Sequence, residues 1–89
     1  MNIRKEDRRL VLYNDDKPFI GEITWLQTKD ILIIDHTFVK SEFGGKGYAR
    51  QLVDALVEKA RSENLKLLPI CSYTKRVLIE PKYEDVLKQ

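Results

Sequence analysis

Ser41-Glu42-Phe43-Gly44-Gly45-Lys46-Gly47-Tyr48-Ala49-Arg50 holds three of the four glycines in a chain of 89 residues. An apolar run, Ile31 to Val39, leads into it, and the one strongly amphipathic stretch, Ala49 to Ala60, leads out of it. This order predicts a strand, a glycine-rich turn and a helix start. Such a turn can aim free backbone N–H groups and the positive end of a helix dipole at an anion. Gly44-Gly45-Lys46-Gly47 contains no Ser, Thr, Asp or Asn to cap those groups from within. The turn is therefore read as a seat for a phosphate-bearing ligand.

Working outward, Arg9 to Tyr13 reads as a first strand, Asn14 to Pro18 as turn chemistry and Phe19 to Leu26 as a second strand, the two making a hairpin. Alternation puts Phe19, Gly21, Ile23 and Trp25 on one face. Gln27 to Asp30 is the next turn. The third strand, Ile31 to Val39, is apolar on both faces for most of its length, as a central, covered strand is. The helix spans about Gly47 to about Ser62, with Leu52, Val53, Leu56, Val57 and Ala60 as the stripe that packs on the sheet. Arg50 and Asp54 are spaced to pair on its wet side. Glu63-Asn64 ends it.

Leu65 to Cys71 is a fourth strand, and Pro69 predicts that it is open on one side near its end. Third strand, helix and fourth strand form a βαβ unit, whose right-handed crossover makes the two strands parallel. Ligands of open α/β sheets bind beyond the carboxyl ends of the strands, where the glycine turn and Cys71 both fall. Ser72 is placed to cap a short helix, Tyr73 to Glu80. Pro81 breaks it, and Tyr83 to Leu87 can add a last turn.

Composition narrows the function. The length sets one small domain, residues 1–89, with a modest core. With 16 basic and 14 acidic residues there is no broad electrostatic footprint for nucleic acid or for an anionic membrane. No apolar run reaches the roughly 18 residues of a membrane span. The charged start, Met1 to Arg9, has no apolar region of a signal peptide behind it. One cysteine and one histidine exclude a disulfide framework and a metal-ligand cluster, so no metal is expected. A soluble cytoplasmic protein is the simplest expectation.

The turn is not a P-loop, since Gly47 follows Gly45-Lys46 where Ser or Thr would stand. It is not the dinucleotide fingerprint either: Arg50 occupies the third glycine position and the preceding strands read as antiparallel. It does resemble motif A of the GNAT superfamily, the acyl-CoA-dependent N-acyltransferases. That motif is Gln/Arg-x-x-Gly-x-Gly/Ala, and here it aligns with Gly44 to Ala49; Gly47 and Ala49 match, and Gly44 stands where Gln or Arg is usual. The chain is similar above all to a branch of very small GNAT-like proteins. It shares their His-Thr-x-Val, Gly-x-Gly-x-Ala and Pro-x-Cys-x-Tyr motifs, at His36-Thr37-Phe38-Val39, Gly45-Lys46-Gly47-Tyr48-Ala49 and Pro69-Ile70-Cys71-Ser72-Tyr73.

The resemblance implies an α/β fold of the GNAT kind: a mixed sheet with antiparallel N-terminal strands, then a βαβ unit with a parallel, splayed strand pair and a short C-terminal helix. It implies acetyl-CoA as co-substrate, with the diphosphate of coenzyme A on the N–H groups of Gly45, Gly47, Tyr48, Ala49 and Arg50 and positive charge from Lys46 and Arg50. The pantetheine arm would pair with backbone groups of Phe38 and Val39 as an added strand does. The thioester would lie near Cys71 and Tyr73. Larger members carry helices near the N-terminus that shape the acceptor site. Their absence here predicts an acceptor site that is open or completed by a partner protein.

Three side chains are candidates for catalysis. Cys71 is either a small core residue or a thiolate that takes up the acyl group before passing it on. His36, read as sharing a face with Ile34 and Phe38, is either a core histidine or a general base, for Cys71 or for an acceptor amine. An ammonium of pKa about 10.4 must lose a proton before it attacks. Tyr73 matches in position the tyrosine that, in larger relatives, protonates the departing thiolate; otherwise it is a packing residue. Lys75 and Arg76 read as a solvated face or as contacts to the adenosine-side phosphate. The expectation is an N-acetyltransferase acting on an amine. Its rivals are a CoA-binding module without efficient catalysis and an interaction domain whose glycine turn merely connects.

Overall fold

The computed structural model describes residues 2–15 and 18–88. Five strands form one sheet in sequence order: β1 (Asn2–Glu6), β2 (Arg9–Tyr13), β3 (Phe19–Thr28), β4 (Ile31–Val39) and β5 (Lys66–Pro69). The first four are antiparallel neighbours, and β4 and β5 are parallel. Helix α1 (Tyr48–Glu63) makes the crossover between them, and α2 (Ser72–Leu78) follows β5. The parallel pair and its crossover are as expected for a βαβ unit. No helix among the described residues is long and apolar enough to cross a membrane.

One strand was not foreseen. β1 precedes the hairpin, and its sequence, Asn-Ile-Arg-Lys-Glu, has almost no apolar content because it is a solvent-exposed edge strand. Charge on such an edge discourages further pairing.

The core lies between one sheet face and the helices. Leu10, Leu12, Ile20, Ile23, Trp25, Leu32, Ile34 and Leu67 of the sheet meet Leu52, Val53, Leu56, Val57 and Ala60 of α1, the stripe read from periodicity. Val77 and Leu78 of α2, with Tyr83 and Val86 beyond it, join the same cluster. Each large aliphatic side chain buried there contributes about 1.5–3 kcal/mol. Both helices therefore cover the same face. Among the described residues nothing covers the other face, where Leu26, Phe38 and Leu68 are exposed.

Two irregularities overturn the simple alternation. Tyr13 pairs with Phe19 and Leu12 with Gly21, so Ile20 is the extra residue of a bulge and is fully buried. Phe19 thereby leaves the face of Gly21, Ile23 and Trp25 and stacks on Phe38 instead, 6.3 Å between ring centres. In β4, Thr24 pairs with His36 but Trp25 with Ile34, leaving Asp35 as the extra residue. A bulge of one residue exchanges the faces beyond it. Ile34 is buried, whereas His36 and Phe38 emerge on the uncovered face and Thr37 turns toward the helices. His36 does not share a face with Ile34.

Helix boundaries shift slightly. α1 begins at Tyr48, after Gly47, and ends at Asn64 in the left-handed region, whose N–H donates to Ala60. Arg50 does not pair with Asp54 but with Glu80, from 30 residues away; Asp54 accepts from the Tyr83 hydroxyl. β5 stops at Pro69, and the α2 cap is Cys71, not Ser72. A 3-10 turn covers Pro81–Tyr83, and Tyr83 to Leu87 adds a single turn, closed by the Leu87 N–H on the Tyr83 carbonyl at 3.1 Å, before Leu87 bridges to Leu67 at the sheet edge. The predicted turn from Asn14 to Pro18 lies partly outside the described residues.

Candidate functional site

The site starts from a mismatch in strand length. β4 keeps its antiparallel partner as far as Val39, but its pairing with β5 ends at Ile34 opposite Pro69. One further bond, from the Ile70 N–H to the Ile34 carbonyl at 3.0 Å, closes the ladder. β5 then turns away into α2 because Pro69 and the Cys71 cap end it. The last residues of β4, Asp35 to Val39, are left with an edge that no strand among the described residues occupies. Of Phe38 and Val39, expected to hold an extended ligand, only Val39 presents its backbone groups to this edge, as Thr37 does; those of Phe38 face β3 in the antiparallel ladder.

The glycine turn closes one end of this gap. A single 3-10 turn, Ser41–Phe43, leads to Gly44 in extended conformation, then to Gly45 at φ +76° and Gly47 at φ +80°. Only glycine takes up such left-handed angles without cost. Phe43 before the turn and Tyr48 after it pack edge to face, 6.2 Å between centres, and both rest on the core, which anchors the loop. The first helical bond of α1 runs from the Gln51 N–H to the Gly47 carbonyl at 3.1 Å. The amides of Tyr48, Ala49 and Arg50 precede it and have no acceptor within the helix. Gly47 supplies no side-chain cap. Val39, Phe43, Gly44, Gly45, Gly47, Tyr48, Ala49, Arg50 and Tyr73 line a cleft of about 220 Å³ in front of these amides. Lys46 stands exposed beside it. Two larger concavities, about 380 Å³ and about 410 Å³, lie elsewhere and include neither the glycine turn nor Cys71.

Cys71 lies where β5 ends, at the start of α2. Its Sγ is 2.9 Å from the Thr74 hydroxyl, 3.5 Å from the Thr74 amide, which donates to it, and 3.7 Å from the Thr37 hydroxyl. Burial pushes the thiol up. The Thr74 hydroxyl and amide, the Thr37 hydroxyl and the Tyr73 amide push it down and prevail, so the thiol lies below its ordinary value. Thr74 is fully buried, an unusual place for a hydroxyl that is explained by this contact and its 3.3 Å bond to the Cys71 carbonyl. Tyr73 lines the cleft, with the Arg76 guanidinium 5.8 Å from its ring.

His36 is not in this group. It lies on the uncovered face, half exposed, stacked on Phe38 at 6.2 Å, with Nε2 3.6 Å from Glu22 Oε2. The hydroxyl that reaches Cys71 from β4 belongs to its neighbour Thr37. The Arg50 guanidinium is held by Glu80 at 2.7 Å, which raises its already high pKa.

Sequence reasoning missed Thr37, Thr74, Glu22 and Glu80. Thr74 carried a signal: three residues after Cys71, it is where the third residue of a helix meets its cap. The others become neighbours only through the bulge at Asp35 and the return of the chain after α2.

Residues 9–86 match the sequence pattern of a family described as GCN5-related N-acetyl-transferase. No curated protein matches the chain. Among solved structures, a GCN5-like protein of Staphylococcus aureus is 35% identical, with 98% of this chain and 87% of that one aligned and a TM-score of 0.80. The ribosomal-protein-alanine N-acetyltransferase of Brucella melitensis shares the fold at 23% identity and a TM-score of 0.66, over 91% of this chain and 61% of its own. AAC(6')-Iy, in complex with the bisubstrate analogue CoA-S-monomethyl-acetylneamine, shares it at 14% identity and a TM-score of 0.54, over 94% of this chain and 65% of its own.

Proposed function

The chain belongs to the GCN5-related N-acetyltransferase family, and from that premise we propose that it binds acetyl-CoA as one domain and transfers the acetyl group to an amine. The observation that carries this is the unpaired end of β4, flanked by the glycine turn at one end and Cys71 at the other. The diphosphate would sit on the amides of Gly45, Gly47, Tyr48, Ala49 and Arg50, with Lys46 beside it. The pantetheine arm would run along the free edge of β4, on the backbone groups of Val39 and Thr37, toward Cys71. Gly44 supplies a backbone position there, not the phosphate-side contact that Gln or Arg gives elsewhere.

The helices close one face of the sheet, so the acceptor approaches the thioester from the uncovered face. His36, with Glu22 behind it, lies on that face. It is suited to take a proton from the acceptor amine and not from Cys71. A partner protein covering this face would complete the acceptor site.

The hydrogen bonds to Cys71 favour a covalent route. The Cys71 thiolate attacks the thioester carbonyl carbon, giving S-acetylcysteine and expelling coenzyme A as a thiolate, which takes a proton from the Tyr73 hydroxyl or from water. The free amine then attacks the S-acetyl carbon, loses its proton to His36 and returns the Cys71 thiolate. In direct transfer the amine attacks acetyl-CoA itself and Tyr73 alone serves the leaving thiolate.

Calorimetric titration with coenzyme A and acetyl-CoA, with intact mass recorded on the acetyl-CoA sample, tests the proposal. Saturable binding and an acetyl group mapped to Cys71 are expected, followed by its transfer to an added amine. Turnover unchanged in Cys71→Ala excludes the covalent route. Binding without turnover across a panel of amines leaves a coenzyme-binding module. No binding at about millimolar ligand, weaker than about −4 kcal/mol, rejects the coenzyme site altogether.

A further inference from the structure

Arg50 is in an unusual position. It lies in the first turn of α1, where a cation meets the positive end of the helix dipole, and no acidic side chain shares that turn. It also lines the cleft with Gly45 and Gly47, so its charge is within the field of any anion bound there. Its guanidinium is nevertheless committed elsewhere. Nη2 donates to Glu80 Oε2 at 2.7 Å and Nη1 to Oε1 at 3.3 Å, the two-pronged arrangement that guanidinium makes with carboxylate or phosphate. Nη1 also lies 3.5 Å from the Tyr83 hydroxyl. Tyr83 is buried and donates to Asp54 at 2.6 Å, one turn further along α1, which fixes the C-terminal segment to the helix.

Glu80 and a diphosphate offer this guanidinium the same thing: paired oxygens carrying negative charge. One guanidinium cannot satisfy both with the same two nitrogens. The Arg50 and Glu80 side chains are 38% and 40% exposed, so Arg50 can change partner without disturbing the core. We propose that Glu80 withholds Arg50 from the diphosphate of the bound coenzyme and so weakens coenzyme affinity, acting as an anion the chain supplies to its own ligand site. This rests on the coenzyme reading above and adds an affinity-setting residue to it.

The test is calorimetric titration of coenzyme A into the unaltered chain, Glu80→Gln, Arg50→Gln and the double variant. Glu80→Gln removes the carboxylate charge, leaving a single neutral acceptor for Arg50, and is expected to bind coenzyme A about threefold to fivefold more tightly, the scale of an exposed ion pair. The double variant is expected to bind as Arg50→Gln does, because no guanidinium remains to be released. Equal or weaker binding in Glu80→Gln overturns the proposal. So does an equal gain in the Arg50→Gln background, which would make Glu80 a source of simple repulsion. If Glu80→Gln does not fold, Glu80→Ser takes its place with the same criteria, because Glu80 occupies the N-cap position of the Pro81–Tyr83 turn without a side-chain capping bond and serine suits that position. Absence of binding by the unaltered chain overturns the coenzyme reading and this inference together, whereas binding with a flat response to Glu80 overturns this inference alone.

Discussion

Replacing Gly47 with alanine isolates the backbone of the glycine turn. Gly47 precedes α1 at φ +80° and ψ 12°, and a Cβ built there meets nothing within 4 Å. The cost is therefore conformational and not steric, about 1–2 kcal/mol for a residue with a side chain held in the left-handed region. For a domain of this size about 1 kcal/mol moves the melting temperature by roughly 4–8 °C, so a fall of about 4–16 °C is expected. Any relief by rotation to negative φ re-aims the amides of Tyr48 and Ala49, so coenzyme binding should weaken as well. Gly47→Asn should melt between the two, because asparagine tolerates this region and can cap the following amides. Gly44→Ala is the control. Its φ is −66°, so its cost comes only from the tight 3.2 Å contact of the new Cβ with the Ser41 carbonyl oxygen, and a smaller loss than in Gly47→Ala, with coenzyme binding kept, is expected. Circular dichroism melts and calorimetric coenzyme titrations give both quantities. Gly47→Ala melting within about 1 °C of the unaltered chain, or Gly47→Asn melting no higher than Gly47→Ala, would refute a turn held at positive φ.

Gly21→Ala would drive a methyl into the Phe38 carbonyl and to 3.0 Å from Val39 Cγ2, with backbone that cannot retreat without opening the pairing to β4. A loss of about 1–3 kcal/mol is expected by chemical denaturation, and unchanged stability would mean that the two strands do not approach so closely. Thr74→Val keeps the shape but removes the hydroxyl from Cys71. The pH midpoint of Cys71 alkylation should rise and Thr74→Ser should restore it; equal midpoints in all three would deny Thr74 a part in holding the thiolate. The Arg61 guanidinium bonded to Asp85 holds that carboxyl below its usual value, so this stabilisation is full above the unfolded pKa and is lost as pH falls through the lower, folded one. Asp85→Asn should flatten the melting temperature between about pH 5 and pH 2, and an unaltered acid slope would count against the pair.

Much of the fold was legible because it depends on periods that sequence carries openly. The apolar stripe from Leu52 to Ala60 predicted α1 and its buried face, and Asn64 marked its end. The strand-helix-strand order predicted the parallel pair. The glycines predicted a turn with unsatisfied amides, and Gly45 and Gly47 both take the left-handed conformation. β1 was invisible because an exposed edge strand needs no apolar residue on either face. The candidate site was legible as three separate motifs but not as an arrangement. His36, Thr37 and Cys71 each stood out or fell within a motif, yet no spacing says which of His36 and Thr37 turns toward Cys71.

That choice shows where sequence stops. By itself the sequence determined four of the five strands, both α-helices, the turn and the family resemblance, because hydrophobic period, glycine content and motif order act within a few residues of one another. Tertiary structure decided the partners. One extra residue at Asp35, admitted because β3 and β4 pair on both sides of it, exchanged the faces of His36 and Thr37. The return of the chain after α2 brought Glu80 to Arg50 and Tyr83 to Asp54. A bulge and a long-range ion pair depend on how the whole sheet and its covering helices close together, and no local pattern encodes that closure.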